Sequence, residues 1–136
     1  MSAEVFLDTN IVIYAYSAQE VNKFESANRL IDAGTAVISI QVLNELTATL
    51  ARKFGVAWPQ IGAVIAELVQ RCAVTPLSVS TVQSAIQLAE RYGYRYYDCL
   101  ILATALERGC FIVFSEDMQH GQVIAGRTTI LNPFLL

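Results

Sequence analysis

Apolar positions along the chain follow two alternating rhythms. Short runs rich in β-branched and aromatic residues, bounded by turn formers, read as buried strands, whereas longer stretches with apolar residues every three or four positions read as amphipathic helices. The pattern predicts a first strand over residues 3–7, a short helix from about Ile11, a helix over 22–33 closed by Gly34, and a second strand over 36–39. A helix over 41–54 follows, with Leu43, Leu46, Leu50 and Phe54 on one face and Gly55 as its stop. Pro59 suits the first position of the next helix, whose stripe is Ile61, Val64, Ile65, Leu68, Val69 and Cys72. A short strand over 73–77 precedes a helix capped by Ser78 or Ser80, which buries Val82, Ala85, Ile86 and Ala89 and ends at Gly93. The last predicted elements are a helix from near Tyr97 to Arg108, stopped by Gly109, and strands over 111–114 and 128–131.

Buried strands alternating with helices imply a parallel sheet covered on both faces. The expected architecture is therefore a three-layer α/β/α sandwich with a central parallel sheet of four to five strands. A chain of 136 residues, 54% of them hydrophobic, carries enough apolar surface for one substantial core, so a single domain over residues 1–136 is expected. No apolar stretch approaches the roughly 18 residues of a membrane span, and the start, with Glu4 and no basic flank, does not match a signal peptide. A soluble, cytoplasmic protein is the expectation. Cys72, Cys99 and Cys110 are odd in number, lie among apolar neighbours and form no CxxC pair, which favours buried free thiols over a disulfide or a zinc site.

Against this pattern one residue is out of place. Asp8 follows directly on the apolar run Val5-Phe6-Leu7, at the carboxyl end of a parallel strand, where open α/β sheets place their ligands. Asp117 has the same address after the strand over 111–114, and Glu45 lies one turn into the helix that leaves the second strand. Asp98 opens a helix that leads into a parallel strand, so this helix must start at the same edge. Ile101, Leu102 and Ala105 follow Asp98 at three, four and seven residues, which turns its carboxylate toward the interior. Each acid alone could be a cap or a turn residue; together they put four acids on one rim. Carboxylates about 4 Å apart repel by roughly 4 kcal/mol at an effective dielectric of 20, so such a cluster calls for protons or a cation. Hard oxygen donors with no His or Cys beside them favour Mg²⁺ or Mn²⁺. The net charge of −3 argues against a nucleic-acid partner only superficially, because without these four acids it becomes +1.

Together these residues resemble the PIN-domain ribonucleases, and particularly the toxin subunits of VapBC toxin–antitoxin pairs. The likeness rests on Asp8 in VFLDTN, Glu45 in VLNEL, Asp98 in YYDCLILATAL and Asp117 in VFSEDMQHG, and covers nearly the whole chain. It implies a PIN-like fold and metal-dependent hydrolysis of RNA phosphodiester bonds. Asp8, Glu45, Asp98 and Asp117 would be the catalytic and Mg²⁺- or Mn²⁺-binding acids. Asn10 and Ser115 match the family's polar companions, and Glu116, beside Asp117, is either a further ligand or a supporting residue. Asp98 or Asp117 would take the attacking water's proton. The resemblance also implies a separate antitoxin and a homodimer. A PIN-like module that binds RNA or protein without cutting is the alternative, favoured by loss of an acid; none is missing here.

Three further features have bland readings. His120, the lone histidine, reads as structural; Tyr92, Tyr94, Tyr96 and Tyr97, with Arg91 and Arg95, could stack on RNA but read rather as packing; Trp58 suits a partner surface or ordinary packing.

Overall fold

A computed structural model of the chain describes residues 3–136. Its elements run β1 (Val5–Leu7), α1 (Thr9–Ala15), α2 (Val21–Asp32), β2 (Ala36–Ser39), α3 (Ile40–Arg52), α4 (Trp58–Arg71), β3 (Ala73–Thr75) and α5 (Val79–Tyr92). Then come α6 (Tyr96–Arg108), β4 (Ile112–Phe114), β5 (Val123–Ile124), β6 (Thr128–Leu131) and a closing 3₁₀ turn, Pro133–Leu135. The sheet order is β3-β2-β1-β4-β6-β5, parallel except where β5 pairs antiparallel with β6. Five parallel strands thus form the body of the sheet that the alternation predicts, flanked by six helices in an α/β/α sandwich. The two-residue β5 is an addition. Val123 is exposed, so β5 carries no apolar run by which to read it.

Phe6, Leu7, Val37, Ile38, Val113 and Ile130 are fully buried, as strands covered on both faces require. Helix α6 departs from the one-sided pattern. Every residue from Cys99 to Ala105 is buried, so it packs on all sides. Cys72, Cys99 and Cys110 are free and buried.

Strand register brings the ends of three elements to one edge. Leu7 pairs with Phe114, and the Asp8 amide N–H extends the ladder by donating to the Phe114 carbonyl at 3.0 Å. Asp8 and Ser115 therefore leave the sheet side by side. On the other flank of β1, Phe6 pairs with Val37, which brings the end of β2 to the same edge, where buried Ser39 caps α3 through Val42 N–H at 3.2 Å. Helix α6 starts at Tyr96, shortly after Gly93 ends α5 in a left-handed turn at φ 77°.

Candidate active site

Asp8 is the buried centre of the rim. Its Oδ1 accepts from the Thr9 N–H at 2.7 Å, and its Oδ2 accepts from the Ser115 hydroxyl at 2.8 Å and the Asn10 side-chain amide at 3.1 Å. Burial lifts this carboxyl to about 7; the hydrogen bonds from Ser115 and Thr9 hold it down in part, and the negative charges of Asp98 and Glu45 raise it further. That two acids distant in sequence act on Asp8 follows from the convergence of β1, α3 and α6 at one edge.

Asn10 and Ser115 join the neighbouring acids. The Asn10 amide also donates to Asp117 Oδ2 at 3.1 Å, while its carbonyl oxygen accepts the Glu116 N–H at 3.0 Å. Ser115 Oγ accepts the N–H groups of Asp117 at 3.2 Å and Met118 at 3.4 Å. One amide and one hydroxyl therefore tie β1 to the loop after β4. Asp117 is exposed at the mouth of this network.

Glu45 reaches the cluster through Thr9, a residue that the sequence pattern does not mark. Thr9 Oγ1 donates to Glu45 Oε1 at 3.1 Å. Burial raises the Glu45 carboxyl, Thr9 and Gln41 oppose the rise by hydrogen bonding, and Asp98 adds to it. Gln41 sits one helical turn before Glu45, a spacing that could have marked it. Asp98 lies in the first turn of α6, where the helix dipole favours a carboxylate, and is paired at 3.4 Å with the exposed guanidinium of Arg95. Among the described residues no three His, Cys, Asp or Glu side chains stand ready as a metal cage. Each acid is instead held by its own neighbour: Asp8 by Ser115, Glu45 by Thr9, Asp98 by Arg95 and Asp117 by Asn10.

Glu116 is engaged elsewhere. Its Oε1 accepts from the Tyr14 hydroxyl at 2.6 Å, and its Oε2 is paired with the Lys23 ammonium. Burial pushes its carboxyl up, but the Lys23 and Tyr14 hydrogen bonds outweigh this and leave it below the usual range. Its backbone, through Asn10, is what supports the acids.

The bland readings fare unevenly. His120 Nδ1 accepts the Asn132 N–H at 2.9 Å, a structural tie. Tyr92 takes the Ala125 N–H at 2.8 Å and Tyr94 the Gln119 N–H at 3.0 Å, so both pin loops, whereas Tyr96 and Tyr97 are exposed at the start of α6. Trp58 is 68% exposed, which ordinary packing does not explain.

The fold and rim define an α/β protein with four acids at the carboxyl edge of its sheet. The sequence matches the PIN domain family over residues 5–123, and the chain belongs to that family. Solved structures share the fold. A toxin–antitoxin complex from Klebsiella pneumoniae superposes with a TM-score of 0.72 at 20% identity, covering 96% of this chain and 98% of the other. DNA-bound VapBC from Salmonella typhimurium gives 0.69 at 22% identity, covering 95% and 97%. VapC20 of Mycobacterium tuberculosis, a toxin that cleaves the sarcin-ricin loop, gives 0.69 at 20% identity, covering 84% and 92%. No curated protein sequence matches significantly.

Proposed function

We propose that the protein is a metal-dependent endoribonuclease, the toxin component of a toxin–antitoxin pair. The observation that carries this reading is the state of Asp8: a fully buried carboxyl, fixed by three donors, with the charges of Asp98 and Glu45 bearing on it. Burying an acid among acids is costly unless protons or a cation neutralise them, and a cation does so without giving up their charge. The donor set consists of carboxylate oxygens, with the hydroxyls of Thr9 and Ser115 behind them, and suits Mg²⁺ or Mn²⁺ held by Asp8, Glu45, Asp98 and Asp117. When bound, the ion supplies an activated water and stabilises charge on the phosphate.

The chain's own residues do the rest. Asn10 holds Asp8 and Asp117 at a set separation, Ser115 orients Asp8, and Thr9 orients Glu45. Asp117, exposed and bonded through Oδ2 to Asn10, has Oδ1 available to take the attacking water's proton. Arg95 sits where it can meet a phosphate once it leaves Asp98.

We read residues 1–136 as one domain acting in the cytoplasm, as a homodimer that a separate antitoxin restrains. The match over residues 5–123 supports the single domain, and the toxin–antitoxin complexes among the similar structures support the separate antitoxin. No helix among the described residues is long and apolar enough to cross a membrane.

Purified protein should cut a labelled RNA with Mg²⁺ and stop with a chelator. Asp98→Asn nearly keeps the side chain's shape, yet should abolish cutting and shrink the rise in melting temperature that Mg²⁺ gives the parent. An Asp98→Asn protein that cuts at the parent rate would remove Asp98 from the site and the four-acid centre with it; a parent that leaves RNA intact would sink the nuclease reading. Light scattering that finds only a monomer at high concentration would remove the homodimer.

A further inference from the structure

A groove of about 440 Å³ opens directly beside Asn10 and Asp117. One wall is α1, which presents Asn10, Ile13 and Tyr14 at the spacing of a single helix face, with Ser17 just beyond its end. The other is the end of α3, through Thr49, Lys53 and Phe54. Counting back from Lys53 in steps of four reaches Thr49 and then Glu45, so the α3 wall leads straight to the acids. Eight residues of helix span about 12 Å from the carboxylate to the lysine.

Charge is unevenly settled along this path. Glu20 and Glu116, on the far wall, share Lys23. Lys53 is exposed and has no carboxylate partner among the described residues; its ammonium stands over the ring of Phe54, 5.6 Å from the centroid. The groove therefore begins at the acidic rim, offers the aliphatic surface of Ile13 on one wall, and ends at the Phe54 ring with an unpaired cation over it. This is the order of chemistry along a nucleotide strand: phosphate, base, phosphate.

We propose that the groove between α1 and α3 holds the RNA strand flanking the cut bond, with a base against Ile13 and Phe54 and a neighbouring phosphate on Lys53. The inference rests on the nuclease reading and adds the path of the strand and a residue that positions it. Lys53 is a positioning residue, acting on where and how tightly the strand lies rather than on the reacting atoms.

The test is binding of a short labelled single-stranded RNA to the full chain, with Ca²⁺ in place of Mg²⁺ to prevent cutting, over a range of salt concentrations. Lys53→Gln should bind several-fold more weakly at low salt, and its log–log salt slope should be shallower by about 0.7, the value for one lost phosphate contact on a single strand. Arg52→Gln is the control. It removes the same charge one residue away, from a side chain that lines a different cleft, beside Trp58. It should leave the slope unchanged. Equal losses in the two variants, reflecting general charge alone, would overturn the groove, as would no loss in Lys53→Gln. Cutting by the parent with Mg²⁺ separates the two failures: a parent that cuts while Lys53→Gln behaves like it sinks only the groove. A parent that leaves RNA intact sinks the nuclease reading and takes the groove with it.

Discussion

In the metal-free protein at neutral pH, the Asp8 carboxyl stands near the midpoint of its titration, because burial has raised it from 3.8 to about 7. Between those values the folded state holds a proton that the unfolded chain has already released, so stability falls as pH rises. The full shift sets a ceiling of about 4 kcal/mol on the effect. Glu45, raised by burial, works in the same direction. With a chelator present, melting should be higher at pH 5 than at pH 8, and Mg²⁺ should restore most of the loss at pH 8. A metal-free protein whose melting is flat or rises over that range would mean that Asp8 is not the strained acid described. Arg95 offers a second test. Its guanidinium is 78% exposed and faces Asp98, so Arg95→Ala should cost less than about 1 kcal/mol of stability while leaving the acids more negative. Mn²⁺ should then bind several-fold more tightly in a direct titration. Unchanged affinity would make Arg95 a bystander.

Two helix caps separate stability from function among the elements. Ser39 caps α3 through Val42, and Ser78 caps α5 through Thr81 in a reciprocal pair. Replacing either with Ala should cost about 1 kcal/mol. Only Ser39→Ala should also slow RNA cutting, since α3 carries Glu45 while α5 carries none of the four acids; chemical denaturation beside a cleavage assay reads both. The helices and parallel strands were legible in the sequence from periodic apolar positions, although α5 buries Thr81, Ala85 and Leu88 and leaves the expected Val82 and Ile86 exposed; the shared edge of the four acids was legible because parallel strands and returning helices lead there. The partners of those acids were not. Thr9 to Glu45 spans 36 residues and Lys23 to Glu116 spans 93, and neither pair leaves a periodic trace. Adjacent Glu116 and Asp117 could not be told apart by spacing; Lys23 and Tyr14 tell them apart in space. The inward turn of Asp98 was inferred from an apolar stripe, yet every residue from Cys99 to Ala105 is buried, so the stripe does not single out one face.

On the scale of the whole molecule, Arg71 at the end of α4 fastens three helices. Its guanidinium donates to Asn28 at 2.8 Å and Asp32 at 2.9 Å on α2, to Glu67 at 3.2 Å on its own helix, and to Tyr16, the residue that ends α1, at 3.3 Å. Arg71→Ala should lower stability by about 1–3 kcal/mol, and Arg71→Lys should recover only part, because an ammonium lacks the planar fork that reaches several partners at once. Equal denaturation midpoints for Lys and Arg at this position would refute the fork. The hydrogen bond from Ser115 to Asp8 joins residues 107 apart, and β4 must lie against β1 before it can form. A chain still emerging from the ribosome carries Asp8 and Glu45 long before, and Asp98 shortly before, it carries Ser115 and Asp117. On the proposed reading, a partly made copy has no cutting centre, and the protein stays harmless to the RNA around it until the segment carrying Ser115 and Asp117 has been made and has folded against β1.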